Sequence, residues 1–343
     1  MTDDGHGIDV ATAHREFGVL GDSWKAGATH SKNGLRTLHG SKGEGRLSVF
    51  KHGGTARWRS VSELGGSREK LTITVNATSR EDAEVSDAVA TTGPLGTVVT
   101  LTNFAEPPTG IHGETAYERL LTTFAIAIRA QGVDITFADR RLDVADLLLY
   151  ERDIPIRARG EDALLTLLIW KRKVRPDAEL HFCDRDGTTL LQSAQAESHG
   201  ASFTAYLRWN RTSEYARQLP TAGHDEGPLG AVSREAELQL QLALDEHRDQ
   251  RRREVIDAWK RNGYYPFDGE PSTSAERATR QTFDLVAVEA ATVVDASKPK
   301  ARMLSLRLLT EALEHNPDQI HRILDQVLGL NGPVLGSVPP APR

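Results

Sequence analysis

The stretch from Ala56 to Asn103 constrains the fold more than any other part of the chain. Three segments in it alternate or cluster β-branched residues, and turn-forming residues such as Gly65-Gly66 and Thr92-Gly93-Pro94 separate them. Short strands joined in this way commonly pair antiparallel and bury one face. We therefore predict an antiparallel sheet with one covered face. Its predicted strands are Ala56–Val61, Leu71–Ala77 and Thr97–Asn103.

The segment before these strands has a different character. Residues 1–55 are rich in Gly, Ser, His and Lys and contain only short apolar patches. This composition predicts loop structure around a site instead of a core.

A second α+β unit is predicted over residues 111–210, after the breaker cluster Pro107-Pro108-Thr109-Gly110. Apolar residues at helical spacing predict a helix over Glu114–Ala130. The residues Asp184-Arg185-Asp186-Gly187 predict a turn between two strands. The predicted strands are Asp134–Ala138, Ala163–Lys173, Glu179–Cys183 and Ala201–Trp209.

The remainder of the chain is predicted to be helical. A long helix over Ser233–Arg261 has Ser233 as its cap, and Arg248–Arg253 within it is interpreted mainly as a solvated face. The Pro-rich tail Asn331–Arg343 is predicted to be disordered. The predicted apolar stripe of the long helix is Leu238, Leu242, Val255 and Trp259, and further helices are predicted near Ala275–Ala291 and Lys300–Leu328.

Composition narrows the class of protein. With 38% hydrophobic and 26% charged residues, the chain of 343 residues resembles an ordinary soluble protein. A net charge of -6 argues against a generally basic nucleic-acid surface, although it leaves room for a local basic groove. The single cysteine, Cys183, is expected to be buried and has no internal disulfide partner. We find no signal peptide and no apolar run of membrane-spanning length, and predict a cytoplasmic protein.

The first motif that could carry chemistry is Asp3-Asp4-Gly5-His6-Gly7, which has the pattern Asp-x-Gly-x-Gly. A carboxylate accepts a hydrogen bond from an exocyclic amino group, and a neighbouring glycine lets the backbone approach a flat ring closely. The alternative is an ordinary Asp-Gly turn.

The second motif is Gly40-Ser41-Lys42-Gly43-Glu44-Gly45. Three glycines within six residues suit a loop whose backbone N–H groups surround phosphate oxygens, and the alternative is a surface loop. The segment Gly21-Asp22-Ser23-Trp24-Lys25 lies upstream, and Gly96-Thr97 opens a strand downstream.

In this order the elements resemble the GHKL, or Bergerat-fold, ATP-binding family, which includes MutL, the ninety-kilodalton heat-shock chaperones, the gyrase B subunit and the MORC proteins. The resemblance implies that Asp3 contacts adenine, that Thr97 supports Asp3, and that the Gly40–Gly45 segment closes over the phosphates. It also implies ATP and Mg²⁺ as cofactors. The implied cofactor-binding residues are Asp3, Gly5, Gly7, Lys25, Gly40, Lys42, Gly43, Gly45 and Thr97.

The resemblance also implies a domain organisation with an α+β fold. A partial Bergerat-type α/β sandwich is expected over residues 1–108, a transducer-like α+β domain over 109–212, a helical region over 228–330 and the tail over 331–343. In this family a lysine of the second domain can reach the γ-phosphate, and we favour Lys171 as the catalytic residue. The alternative is that Lys171 and its neighbours are outward-facing strand cations.

One departure from the family bears on activity. A helix with a general-base Glu and a magnesium-binding Asn precedes the Asp-x-Gly-x-Gly motif in the family, whereas only Met1 and Thr2 precede Asp3 here. We therefore expect an N-terminally truncated chain whose magnesium ligand lies in the missing segment. Such a chain should hydrolyse ATP very poorly or not at all, and whether it is an enzyme is left open.

Three functions remain as alternatives. The leading hypothesis is an ATP-binding module that couples lid closure to the rearrangement of a partner, either a second protomer or a protein client. The second is a catalytically inactive fragment that acts as a binding scaffold. The third is a DNA-transaction ATPase similar to MutL or the MORC proteins, which would use Arg248–Arg253 or Lys171–Arg175 to contact DNA.

Overall fold

In a computed structural model, the chain divides into two units. The first comprises Met1–Leu147, Cys183–Leu190 and Asn210–Ser213, and the second comprises Leu148–Phe182, Leu191–Trp209 and Glu214–Arg343. The domain boundaries at 108 and 212 stay a prediction. The residues that the structure describes are 1–17, 54–104, 110, 112–174, 177–195, 201–215, 218–219 and 226–315.

An antiparallel sheet dominates the first unit, as predicted. Its order is β1-β6-β2-β3-β4, and β5 also pairs with β3. Strand β2 shows why one face is covered, because Ala56 and Trp58 are buried whereas Arg57 and Arg59 are exposed. The strands are β1 Thr2–Asp3, β2 Thr55–Leu64, β3 Ser67–Asn76, β4 Ser79–Val85, β5 Val89–Ala90 and β6 Gly96–Thr102.

A short helix, α1 (Val10–Phe17), packs against the covered face of this sheet. Asp9 caps the helix, since its Oδ1 accepts a hydrogen bond from the Thr12 N–H at 2.7 Å. The ring of Phe17 meets the ring of Trp58 edge-on, with 5.0 Å between the centroids. The prediction of loop structure over residues 1–55 is therefore wrong for α1, since Asp9 caps this helix and Val10, Ala13 and Phe17 give it an apolar face. Residues 18–53 lie outside the described part of the chain.

The predicted helix Glu114–Ala130 is confirmed as α2 (Gly113–Gln131). Gly132 ends it in the left-handed conformation, with φ of 64°. The predicted strand Asp134–Ala138 is confirmed only at β7 (Thr136–Phe137), which pairs with β8 (Arg140–Arg141).

A five-stranded sheet has the order β12-β11-β13-β10-β9, and most of its residues belong to the second unit. The predicted turn after Cys183 is confirmed, because the Gly187 N–H donates to the Asp184 carbonyl at 2.9 Å. Cys183 is buried, as predicted. The strands are β9 Leu148–Ala158, β10 Glu161–Trp170, β11 Ala178–Cys183, β12 Thr189–Gln195 and β13 Phe203–Trp209.

One continuous helix, α3 (Pro228–Arg261), connects two hydrophobic cores of the second unit. Its N-cap is Gly227, and Ser233 is buried inside the helix, so the predicted cap is wrong. Leu238 and Leu242 are exposed, so the predicted stripe is wrong there as well. The residues of its first half that pack against the sheet are Leu229, Val232, Ala236, Leu240, Ala243 and Leu244.

The second half of α3 packs with three further helices. Trp259 is buried in this helical core, as predicted, together with Phe283 and Leu306. The predicted helix Lys300–Leu328 is confirmed as far as His315, and its remainder and the tail lie outside the described residues. Among the described residues, no helix is both long and apolar enough to span a membrane. The three helices are α4 Ser274–Glu289, α5 Ala291–Ala296 and α6 Pro299–His315.

Candidate adenine-recognition site

Three polar residues lie side by side on the covered face of the first sheet. Asp3 of β1 stands opposite Thr97 of β6, and Thr97 stands opposite Ser60 of β2. Residues directly opposite each other in antiparallel strands place their side chains on the same face. Asp3, Thr97 and Ser60 therefore form a row across three neighbouring strands, which we call the polar row.

The polar row lies next to the apolar part of the covered face. Two residues further along β2 and β3, the same face carries Trp58 and Ile73, which belong to the core beneath α1. Ser60 and Thr97 are buried, with 1% and 7% of their surfaces exposed, whereas Asp3 is exposed. The row thus runs from a buried hydroxyl to an accessible carboxylate at the edge of the sheet.

The Ser60 hydroxyl occupies the centre of a hydrogen-bond network. It accepts a hydrogen bond from the Ile8 N–H at 2.7 Å and lies 3.0 Å from the Thr97 Oγ1. It lies 3.4 Å from the Gly96 carbonyl oxygen, which is a longer contact. Ser60 therefore joins the loop that follows the Asp-x-Gly-x-Gly motif to the start of β6.

The carboxylate of Asp3 is held by its own loop. Its Oδ1 accepts a hydrogen bond from the Gly5 N–H at 2.9 Å. A Cβ atom at position 5 would lie 2.8 Å from that oxygen, so glycine keeps this turn tight. A carboxylate has about four lone-pair sites, so its other oxygen, Oδ2, retains the capacity to accept a bond from a ligand.

Two glycines allow the backbone to approach closely around the row. Gly7 has φ of 73°, and a Cβ there would lie 2.0 Å from the Val61 carbonyl oxygen. Gly96 has φ of 131°, and a Cβ there would lie 2.1 Å from the Asp3 carbonyl oxygen. Only glycine fits these two positions, because any side chain would collide with backbone.

This arrangement can recognise a flat ring that carries an amino group. Asp3 supplies an acceptor at the accessible end, and the Thr97 hydroxyl supplies a group that either donates or accepts. The adenine end of ATP thus fits the residues present. The site of the phosphates, predicted at Lys25, Gly40, Lys42, Gly43 and Gly45, lies outside the described residues.

The structure brings together four of the predicted site residues within the first unit. Asp3, Gly5, Gly7 and Thr97 lie in the first unit around the polar row. Lys171 lies in the second unit, exposed, directly after the end of β10. Its catalytic role stays a prediction.

Sequence reasoning did not identify Ser60 and treated Gly96 only as the entry to a strand. A signal for Ser60 was available, because Ala56 and Trp58 alternate inward along β2 and a serine then occupies the next inward position. A polar residue at a core position of an alternating strand indicates a buried hydrogen-bond network.

The basic run proposed for DNA contact is partly neutralised by acidic neighbours on α3. Arg248 pairs with Asp245 at 2.8 Å, and Arg252 pairs with Asp249 at 2.9 Å. These contacts favour the interpretation as a solvated helix face. In the described part of the chain, no group of three or more His, Cys, Asp and Glu side chains could hold a metal ion.

No protein-family model and no curated protein matches the chain. Among solved structures it is similar to the ATPase region of Saccharomyces cerevisiae topoisomerase II bound to ICRF-187 (dexrazoxane), with a TM-score of 0.36 and 10% identity over 61% of this chain and 63% of that one. A second structure of that ATPase region gives a TM-score of 0.34 and 10% identity over 61% and 62%. The chain thus spans less than two thirds of either ATPase region. At TM-scores of this size, these similarities assign neither a family nor a function to the chain.

Proposed function

We propose that the first unit is the adenine-recognising part of an ATP-binding module of the GHKL type. The polar row carries the proposal, since it places an accessible carboxylate and a buried hydroxyl side by side on the covered face, next to the core beneath α1. Within this proposal, ATP bound with Mg²⁺ drives closure of the segment around Gly40–Gly45. A second protomer or a protein client is then gripped or released.

The residues of the chain have separate tasks in this proposal. Asp3 accepts a hydrogen bond from the exocyclic amino group of adenine, and the Gly5 N–H fixes the orientation of its carboxylate. Gly7 and Gly96 hold the surrounding backbone close enough for the strand and loop to meet. Lys171 is proposed to reach the terminal phosphate. Mg²⁺, when bound, would neutralise charge on the phosphates.

Calorimetric titration of the full chain with ATP and with ITP tests the proposal. The two nucleotides differ at the purine position where ATP has an amino group and ITP has an oxygen. A carboxylate accepts a bond from the amino group and repels the oxygen. We expect ATP to bind at least about tenfold more tightly than ITP, because a hydrogen bond to a charged group is worth roughly 1.5–3 kcal/mol.

The Asp3→Asn variant sharpens this test. The Gly5 N–H already binds Oδ1, so it should hold the amide oxygen of asparagine there and turn the amide NH₂ toward the ligand. An NH₂ group repels the amino group of ATP and donates to the oxygen of ITP, so we expect the preference to invert. Asp87→Asn changes an exposed carboxylate of the same unit and serves as the control. Equal affinities of the unaltered chain for both nucleotides, or no binding of either, would contradict the proposal.

A further inference from the structure

We propose that Ser60 is the positioning residue that gives the site its preference for adenine, by fixing which way the Thr97 hydroxyl points. This inference rests on the proposed function, and it assigns a role to a residue that does not itself contact the nucleotide. Ser60 lies in the middle of β2, is 1% exposed and is bonded to Thr97.

This role follows from the number of hydrogen bonds that the Ser60 hydroxyl can donate and accept. A serine hydroxyl has one proton to donate and two lone pairs. The Ile8 N–H uses one lone pair at 2.7 Å. The single proton then goes either to the Thr97 Oγ1 at 3.0 Å or to the Gly96 carbonyl at 3.4 Å. We assign the proton to the Thr97 contact, because 3.0 Å lies at the upper end of the usual range for O–H···O bonds whereas 3.4 Å lies beyond it.

The bond from Ser60 determines the direction in which the Thr97 hydroxyl proton points. Once its oxygen accepts the Ser60 proton, the Thr97 hydroxyl proton is directed away from Ser60. Asp3, on the opposite side of Thr97, is an obligate acceptor when ionised. The row therefore presents a donor at Thr97 beside an acceptor at Asp3. Adenine has the complementary pair, an amino donor next to a ring-nitrogen acceptor, whereas hypoxanthine has an acceptor next to a donor.

The Ile8 N–H makes this arrangement stable. Because Ile8 belongs to the loop that leads from the Asp-x-Gly-x-Gly motif into α1, its bond to Ser60 ties the polar row to that loop. A mobile hydroxyl in this place would let Thr97 rotate and accept from a ligand as readily as donate. The buried serine removes that freedom.

The test compares the ratio of ATP to ITP affinity among variants of the full chain, measured by calorimetry. In Ser60→Ala we expect the ratio to fall by about tenfold, the effect of losing one well-placed hydrogen bond. Ser62→Ala is the matched control, since Ser62 is another buried serine on the same strand and face, two residues away. We expect its ratio to equal that of the unaltered chain.

A double-variant cycle separates positioning from a purely structural role. Thr97→Val removes the hydroxyl through which Ser60 acts and leaves the Ser60–Ile8 bond in place. If Ser60 acts through Thr97, adding Ser60→Ala to Thr97→Val does not change the ratio of ATP to ITP affinity any further. Thr97→Val alone measures the loss of that preference even where Ser60→Ala folds poorly. A Ser60→Ala variant that weakens ATP and ITP equally, with its ratio intact, would overturn the inference and leave the proposed function standing. Failure of the unaltered chain to bind ATP would overturn both.

Discussion

Gly7 is the residue at which the backbone geometry is most demanding. Its φ of 73° lies in the left-handed region, and the Val61 carbonyl oxygen occupies the place of a side chain. Gly65 also has a positive φ, of 59°, yet no heavy atom lies within 4 Å of its would-be Cβ. A side chain at Gly65 would therefore cost only the free energy of the left-handed backbone conformation, whereas a side chain at Gly7 would also collide with the backbone of β2.

We expect Gly7→Ala to destabilise the first unit by about 2–5 kcal/mol. Roughly 1–2 kcal/mol comes from the left-handed conformation, and roughly 1–3 kcal/mol comes from forcing β2 away from the loop. Hydrogen exchange of peptides covering Thr55–Leu64 should accelerate strongly.

Gly65→Ala is the control, with only the conformational cost of about 1–2 kcal/mol. Equal acceleration of exchange in both variants would show that the contact between Gly7 and Val61 does not hold the loop to the sheet.

At the scale of elements, the helix α3 carries two apolar stripes, one buried and one exposed, and we expect them to contribute differently to the free energy of unfolding. Leu240 is 3% exposed and belongs to the core shared with the five-stranded sheet, whereas Leu238 is 51% exposed. We expect Leu240→Ala to lower the free energy of unfolding by about 2–5 kcal/mol. Leu238→Ala should change it by less than about 0.5 kcal/mol. Urea unfolding followed by circular dichroism measures both.

A larger loss in Leu238→Ala than in Leu240→Ala would mean that the other stripe of α3 faces the core. The sequence alone could not choose between them. Leu238 and Leu242 have the same i, i+4 spacing as Leu240 and Leu244, so periodicity is satisfied by either stripe. The packing partner decides, and the partner strands lie far away in the chain.

Strands were predictable where side-chain alternation was clear and the turns were marked. The segments that became β2, β3 and β6 met both conditions. Strand β9 did not, because the charged run Glu151-Arg152-Asp153 and Pro155 obscure its pattern. An edge strand tolerates both features, since one side of its backbone needs no partner.

A local motif made Asp3 and its two glycines predictable, and the resemblance to the GHKL family added Thr97. Asp3, Gly5 and Gly7 stand within five residues of one another. Ser60 is 37 residues from Thr97 and 52 from Ile8, and no local pattern records such contacts. Long-range pairing across the sheet creates this network.

At the scale of the whole molecule, the net charge and the charge pairing on α3 bear on the hypothesis of a DNA-transaction ATPase. The net charge is -6, and Arg248 and Arg252 are paired with acidic neighbours. We expect no saturable binding of labelled duplex DNA by fluorescence anisotropy at about 150 mM salt, up to roughly 100 μM protein, which is the weak end of nonspecific affinities. Any weak binding at low salt should persist in the double variant Arg251→Glu, Arg253→Glu.

A steep salt dependence that disappears in that double variant would instead favour the DNA-transaction function. The same measurement on Asp3→Asn should give the result of the unaltered chain, because this substitution leaves every residue of the basic run unchanged.

The uninterrupted course of α3 has a mechanical consequence. Its 34 residues extend over about 51 Å, with the sheet core at one end and the helical core at the other. The segment from Asp245 to Glu254 between them is polar throughout and contains neither glycine nor proline. The helix therefore acts as one rigid rod. A displacement or a rotation at Trp259 is transmitted along it to Leu229. One residue inserted midway would turn the two cores by about 100° relative to each other.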